Sequence, residues 1–159
     1  MTRHPPFDSS AALDLLHSGA RAVRSDPDGS EIALKEALRL APDDFDVRLG
    51  AYRFYFYNHR YAEALPHCEV LISHASRRLN IASDWRLVSP EDAAFTEPDF
   101  APGLFLQTLL AWGYCHLRLG QHGPAREALV HCARLDPTDR FGATAILGHL
   151  DTRECDEDD

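Results

Sequence analysis

Apolar positions along this chain recur at helical spacing, and the breaks between them fall on turn-forming residues. Residues 9–24 place a serine cap, Ser9-Ser10, before an alanine- and leucine-rich run, which predicts a first helix. Asp26-Pro27-Asp28-Gly29 then reads as a turn. Ile32, Leu34, Leu38 and Leu40, with Ala33 and Ala37, predict an amphipathic second helix that Pro42-Asp43-Asp44 ends. Further helices are expected over residues 44–58, 62–79, 103–119, 123–135 and 138–150, with Gly120 and Pro137-Thr138-Asp139 as separators. Pro66 falls close to the start of the 62–79 helix, where proline is tolerated best. No run alternates β-branched with polar residues, so the fold class is all-α.

A repeat underlies this pattern. Ala37-Leu38-Arg39-Leu40-Ala41-Pro42-Asp43-Asp44 is echoed by Cys132-Ala133-Arg134-Leu135-Asp136-Pro137-Thr138-Asp139, and Tyr61-Ala62-Glu63-Ala64 opens another helical stretch between them. Pro42 and Pro137 lie 95 positions apart. That distance is about two units of 34 residues with a surplus, and the irregular stretch near residues 80–101 is the place for it. Leu109, Trp112-Gly113, His116, Gly120, Ala125, Leu129 and Pro137 form the clearest unit. Ala51-Tyr52, Tyr55, Tyr61, Ala64 and Cys68 form a second, without a closing proline. The first fits only in its latter half, through Leu34, Ala37, Leu38, Leu40 and Pro42.

In these residues the chain resembles the tetratricopeptide repeat family, whose unit is a pair of antiparallel helices. The resemblance implies a stack of three such pairs forming a right-handed superhelix, with a C-terminal capping helix. It divides the chain into an N-terminal extension over 1–8, one domain over 9–150 and an acidic tail over 151–159. Within the domain it implies repeats at about 11–44, 45–80 and 106–139, an insertion over 81–101 and a cap over 138–150. It also implies a concave groove lined by the first helix of each pair. The groove residues would be Asp46, Leu49, Arg53, Phe56 and Tyr57, then Gln107, Leu110, Tyr114, Leu117 and Arg118. Aromatic rings beside arginines suit a peptide partner, because rings supply area at low entropy cost and arginine pairs with carboxylates or carbonyls. The implied function is a non-catalytic adaptor or assembly factor that grips a segment of another protein. A bacterial secretion chaperone is a narrower version of the same reading.

The insertion is too apolar for a solvated linker, and Trp85, Phe95 and Phe100 are its expected contact residues. Ser89-Pro90-Glu91-Asp92 reads within it as a helix start. We expect the insertion to fold back on the array and to line or narrow the groove. Tyr52-Arg53-Phe54-Tyr55-Phe56-Tyr57 supplies rings all round one helix. Most belong to a core, and those left outside make a homodimer a further expectation.

Charge and chemistry narrow the partners. A formal net charge of -9 repels phosphate backbones and anionic headgroups, so no nucleic acid or membrane partner is expected. The start of the chain lacks a stretch of signal-peptide character and no segment is apolar enough to span a bilayer, so the expected location is cytoplasmic. The pairs His67-Cys68, Cys115-His116 and His131-Cys132 offer zinc-binding donors. Neighbouring helical residues diverge by about 100°, so no single pair can chelate. A metal- or thiol-dependent sensor or enzyme is the competing reading, but the expectation is no metal, no cofactor and no catalytic residue. No phosphate-binding glycine loop or nucleophile elbow occurs.

Overall fold

The computed structural model describes residues 27–157, and side chains over 29–152. The helix expected at 9–24 lies outside the described residues. Six α-helices and no strand occur among the described residues, which establishes the all-α class. They are α1 (Pro27–Leu40), α2 (Phe45–Tyr57), α3 (Tyr61–Leu79), α4 (Phe100–Arg118), α5 (His122–Leu135) and α6 (Ala143–Glu157). The chain divides into two compact units, one ending at Asn58 and the other starting at His59.

In the first unit α1 and α2 form a hairpin. Pro27 opens α1 rather than a turn, since proline lacks only an N–H that the first helical position leaves unpaired anyway. Ser30, Leu34, Ala37 and Ala41 are buried in helical register, and Ala37 and Ala41 pack with Val47 at the start of α2. Ile32, expected on this face, is 71% exposed because it lies about 140–160° round the helix from the buried positions 30 and 37. Asp44 caps α2 by accepting the Val47 N–H at 3.1 Å. At the far end Tyr55 Oη donates to Glu31 at 3.3 Å, so the two helices run antiparallel.

The second unit is built around α4. Its partner α3 runs antiparallel to it: Tyr61 meets Tyr114, Glu69 meets Trp112, and Arg78 lies over Phe100. Pro66 is the sixth residue of α3. The carbonyl it leaves without an N–H donor is that of Ala62, an exposed position where water can serve. Helix α4 starts at Phe100, three residues before its expected start. Pro98-Asp99 breaks the preceding chain, and Pro102 falls in the first turn, where a missing N–H costs nothing.

Helix α5 packs against the next side of α4. Gly113 is the point of closest approach: a Cβ placed there would lie 3.1 Å from the Ala128 Cβ and 3.4 Å from the Ala125 carbonyl. Gly120, at φ 78°, turns the chain between the two helices. Helix α6 begins at Ala143, later than the expected 138, and runs on to Glu157, through most of the expected tail. The delay has a local cause. Asp136 is buried and accepts the Arg140 N–H and the Thr138 hydroxyl, both at 2.7 Å, so residues 136–140 close on themselves. Gly142, at φ 84°, then reverses the chain.

Residues 81–99 form a strap with one short 3-10 turn, Trp85–Leu87. The helix start expected at Ser89 does not develop. Asp92 accepts the Ser89 N–H at 2.8 Å and its own N–H returns to the Ser89 carbonyl, closing a single turn before Phe95 enters the core.

Candidate functional site

Three sides of α4 are covered within the second unit. Phe105 and Trp112 meet the strap, through Phe95 at 5.6 Å and Trp85 at 5.6 Å between ring centroids. Gly113 and Leu106 meet α5, while Cys115 and Trp112 face α3. At about 100° per residue, Gln107, Leu110, Tyr114, Leu117 and Arg118 fall on the remaining side. Gln107 and Arg118 are exposed there, and Leu110, Tyr114 and Leu117 are half-buried. In the first unit, Asp46, Arg53 and Tyr57 are exposed along α2, and Leu49 and Phe56 are half-buried. Each expected set thus occupies the least covered stripe of its helix.

The buried rings of the strap meet α4 away from this stripe. We expected it to line or narrow the groove, but its anchors Trp85, Val88 and Phe95 are buried on the opposite side of α4. The phase of Phe105 and Trp112 decides this, since the large apolar residues that receive the strap lie roughly opposite Tyr114. Phe100, expected among the contacts of the insertion, is instead the first residue of α4 and is 59% exposed, with the Arg78 guanidinium 5.4 Å from its ring.

At its C-terminal end the stripe runs into a cleft of about 430 Å³ lined by His59, Arg60, Tyr61, Ala62, Glu63, Arg118 and Leu119. Arg118 is held there by aromatic rings. Its guanidinium lies 5.1 Å from the Tyr61 ring centre and 5.9 Å from that of Tyr114, and it donates to Tyr114 Oη at 3.1 Å. The two tyrosine rings meet edge to face at 5.8 Å. His59, in the left-handed region at φ 60°, brings Nδ1 within 2.7 Å of Tyr61 Oη. Burial, with Tyr114 adjacent, pushes the Tyr61 hydroxyl above its ordinary range, so it stays protonated. Arg60 pairs with Glu63. The result is a fixed cation with one apolar wall, Leu119, and aromatic support. His59 and Arg60 were not singled out from the sequence. The signal available was Asn58-His59-Arg60, a polar break between two helices, which reads as a plain turn.

Two of the histidine–cysteine pairs meet, through Cys68 and Cys115, but the three do not gather at one point. Among the described residues no three His, Cys, Asp or Glu side chains cluster as metal ligands. Cys68, Cys115 and Cys132 are buried free thiols. The Cys115 thiol hydrogen-bonded to it, together with burial, pushes Cys68 far above the ordinary thiol range, and burial does the same to Cys132. As thiols they pack as small apolar groups. Among the described residues no helix is long and apolar enough to cross a membrane.

Neither a protein-family model nor a solved structure matches the chain. It is similar to a protein of Azotobacter chroococcum mcd 1 described as "Uncharacterized 19.8 kDa protein in nifW 5'region". The two are 33% identical over 149 residues, which cover 92% of this chain and 84% of the relative.

Proposed function

We propose that this chain, which belongs to the family of that Azotobacter chroococcum protein, is a non-catalytic binding module that grips a segment of a partner protein along α4. The observation that carries the reading is the coverage of α4. Three of its sides are closed, and the fourth presents Gln107, Leu110, Tyr114, Leu117 and Arg118 beside a cleft. Half-buried Leu110 and Leu117 supply apolar area. Tyr114 adds a ring that loses little entropy on binding. Arg118 is pre-ordered by Tyr61 and Tyr114, so less is lost when it meets a carboxylate or carbonyl of the partner. Buried, protonated thiols and the lack of a metal-ligand cluster among the described residues offer no support to the competing sensor or enzyme reading.

A tetratricopeptide-like right-handed stack is part of the same proposal. Its support is internal to each unit: the α1–α2 hairpin in one, and in the other the close approach of α4 and α5 at Gly113 and Ala125. An adaptor or assembly factor in the cytoplasm is the biological role that fits it.

Site-specific photo-crosslinking in the source cells tests the reading. A crosslinking residue at Gln107, on the open stripe, is expected to trap a discrete partner, while one at half-exposed Val130 on α5 does not. Arg118→Glu is expected to reduce the Gln107 product about tenfold or more, as loss of an arginine anchor does at interfaces. Equal products at both positions, or a Gln107 product indifferent to Arg118→Glu, would remove the stripe as the binding surface.

A further inference from the structure

The seam between the strap and the α4–α5 pair holds a polar atom that the packing leaves unmatched. His131 on α5 is 9% exposed, and its ring lies 5.5 Å from that of Trp85. One ring nitrogen is hydrogen-bonded to the Val88 backbone on the strap. The other, Nε2, is buried with no hydrogen-bond partner. A neutral imidazole tolerates this at the cost of one unmade hydrogen bond. An imidazolium would place an N–H and a positive charge where no acceptor waits, which is far more costly.

We propose that His131 is a proton-operated latch for the strap. Neutral, it fits the seam beneath Trp85; protonated, it puts an N–H without an acceptor at the buried Nε2 and releases residues 82–99 from α4 and α5. The surrounding charges offset this cost only in part, since Glu127 and Asp84 favour the protonated form and Arg134 opposes it. On its own helix are Glu127 and Arg134, and on the strap Asp84 and Arg86. Arg86 occupies both carboxylates, bonding Glu127 at 2.7 Å and lying 3.7 Å from Asp84. Its guanidinium also sits 4.3 Å from the Trp85 ring centre, so that π surface already carries a cation. Towards α3, Glu69 accepts the Trp112 Nε1–H at 3.2 Å. On α4, the His116 ring packs tilted against Trp112 at 4.1 Å between ring centroids. Asp151 of α6 is paired with Arg126.

The direction of the response follows. Burial, with Arg134 adding to it, holds the folded-state value of His131 below the ordinary 6.5 against the Val88 hydrogen bond and the Glu127 and Asp84 carboxylates, which favour the charged form. A histidine depressed in this way contributes fully above its unfolded value, and the contribution is lost as pH falls through the folded one. Strap attachment therefore weakens on acidification. The two tryptophans of the chain, Trp85 and Trp112, meet at this seam and become accessible when it opens.

Hydrogen exchange of the full chain at about pH 7.5 and about pH 5.5, corrected for intrinsic rates, is the test. Amides of residues 82–99 are expected to lose protection at the lower pH, by up to about tenfold for one histidine, while the middle of α4 keeps its own. His131→Phe keeps an aromatic ring without a titrating nitrogen and is expected to abolish the difference between the two conditions. Should that variant not fold, the His131 ring resonance of the unaltered protein is titrated by NMR. Its midpoint then has to coincide with the rise in strap exchange. Strap protection equal at both pH values, a pH response that survives His131→Phe, or loss of α4 protection together with the strap overturns the latch.

Discussion

Single residues set the closeness of packing in the second unit, and Gly113 is the clearest case. Ala128, Leu129 and the Ala125 carbonyl would all lie within 3.4 Å of any Cβ there. A methyl group needs only a small shift, and part of that cost returns as the better helix propensity of alanine over glycine. A branched side chain has no such room. Gly113→Val is expected to destabilise the protein by about 1–3 kcal/mol through overpacking, read as a lower urea midpoint at unchanged m-value. An unchanged midpoint would mean that α4 and α5 are not held this closely. Gly113 and Ala125 were marked by the resemblance to the tetratricopeptide unit, which places small residues where paired helices touch. His131 could not be read in this way. Its neighbour Cys132 made it look like a donor pair, and only the arrival of Trp85 and Val88 from 43 or more positions earlier explains its burial.

Among the elements, the strap departs most from expectation. That it folds back was expected from Trp85, Phe95 and Phe100, of which the first two are buried, each able to contribute about 1.5–3 kcal/mol. Which side it covers depends on the rotational phase of α4, where Phe105 and Trp112 point away from Tyr114. Phe95 is 2% exposed against Phe105, so Phe95→Ala is expected to cost about 3–5 kcal/mol of local stability. That loss falls first on the strap: exchange protection over residues 82–99 collapses while far-UV helicity stays. Equal loss across α3, α4 and α5 would show that the strap is part of one cooperative core. The same dependence on phase explains Ile32, which shares α1 with the buried Leu34 but not its face. Apolar character predicted the helix, and the partner helix selected which residues to bury.

For the molecule as a whole, the acidic excess matters more than individual ion pairs. The pairs Lys35–Glu31, Arg39–Glu36 and Arg60–Glu63 join neighbours one turn apart and lie largely in solvent. Such pairs contribute about 0–1 kcal/mol each. Salt therefore removes little attraction, while it relieves repulsion among the groups behind a net charge of -9. Raising sodium chloride from about 0.05 to about 0.5 M is expected to leave the urea midpoint unchanged or slightly higher. A clear fall would show that the exposed pairs stabilise the fold more than their geometry implies.

The line between local and distant information runs through these results. Helical periodicity, glycine and proline breaks and the absence of alternating strands dictate an all-α chain, because they act within a turn or two of backbone. The residues expected along α2 and α4 came from the resemblance, and helical spacing explains only why each set shares one side of its helix. The cradle of Tyr61 and Tyr114 round Arg118 and the setting of His131 under Trp85 join residues more than 40 positions apart, and the side taken by the strap depends on pairing Trp85 with Trp112 and Phe95 with Phe105 across the break between two helices. Contacts at that range exist only once helices have packed, so they follow from rotational phase and volume, which no short stretch of residues encodes.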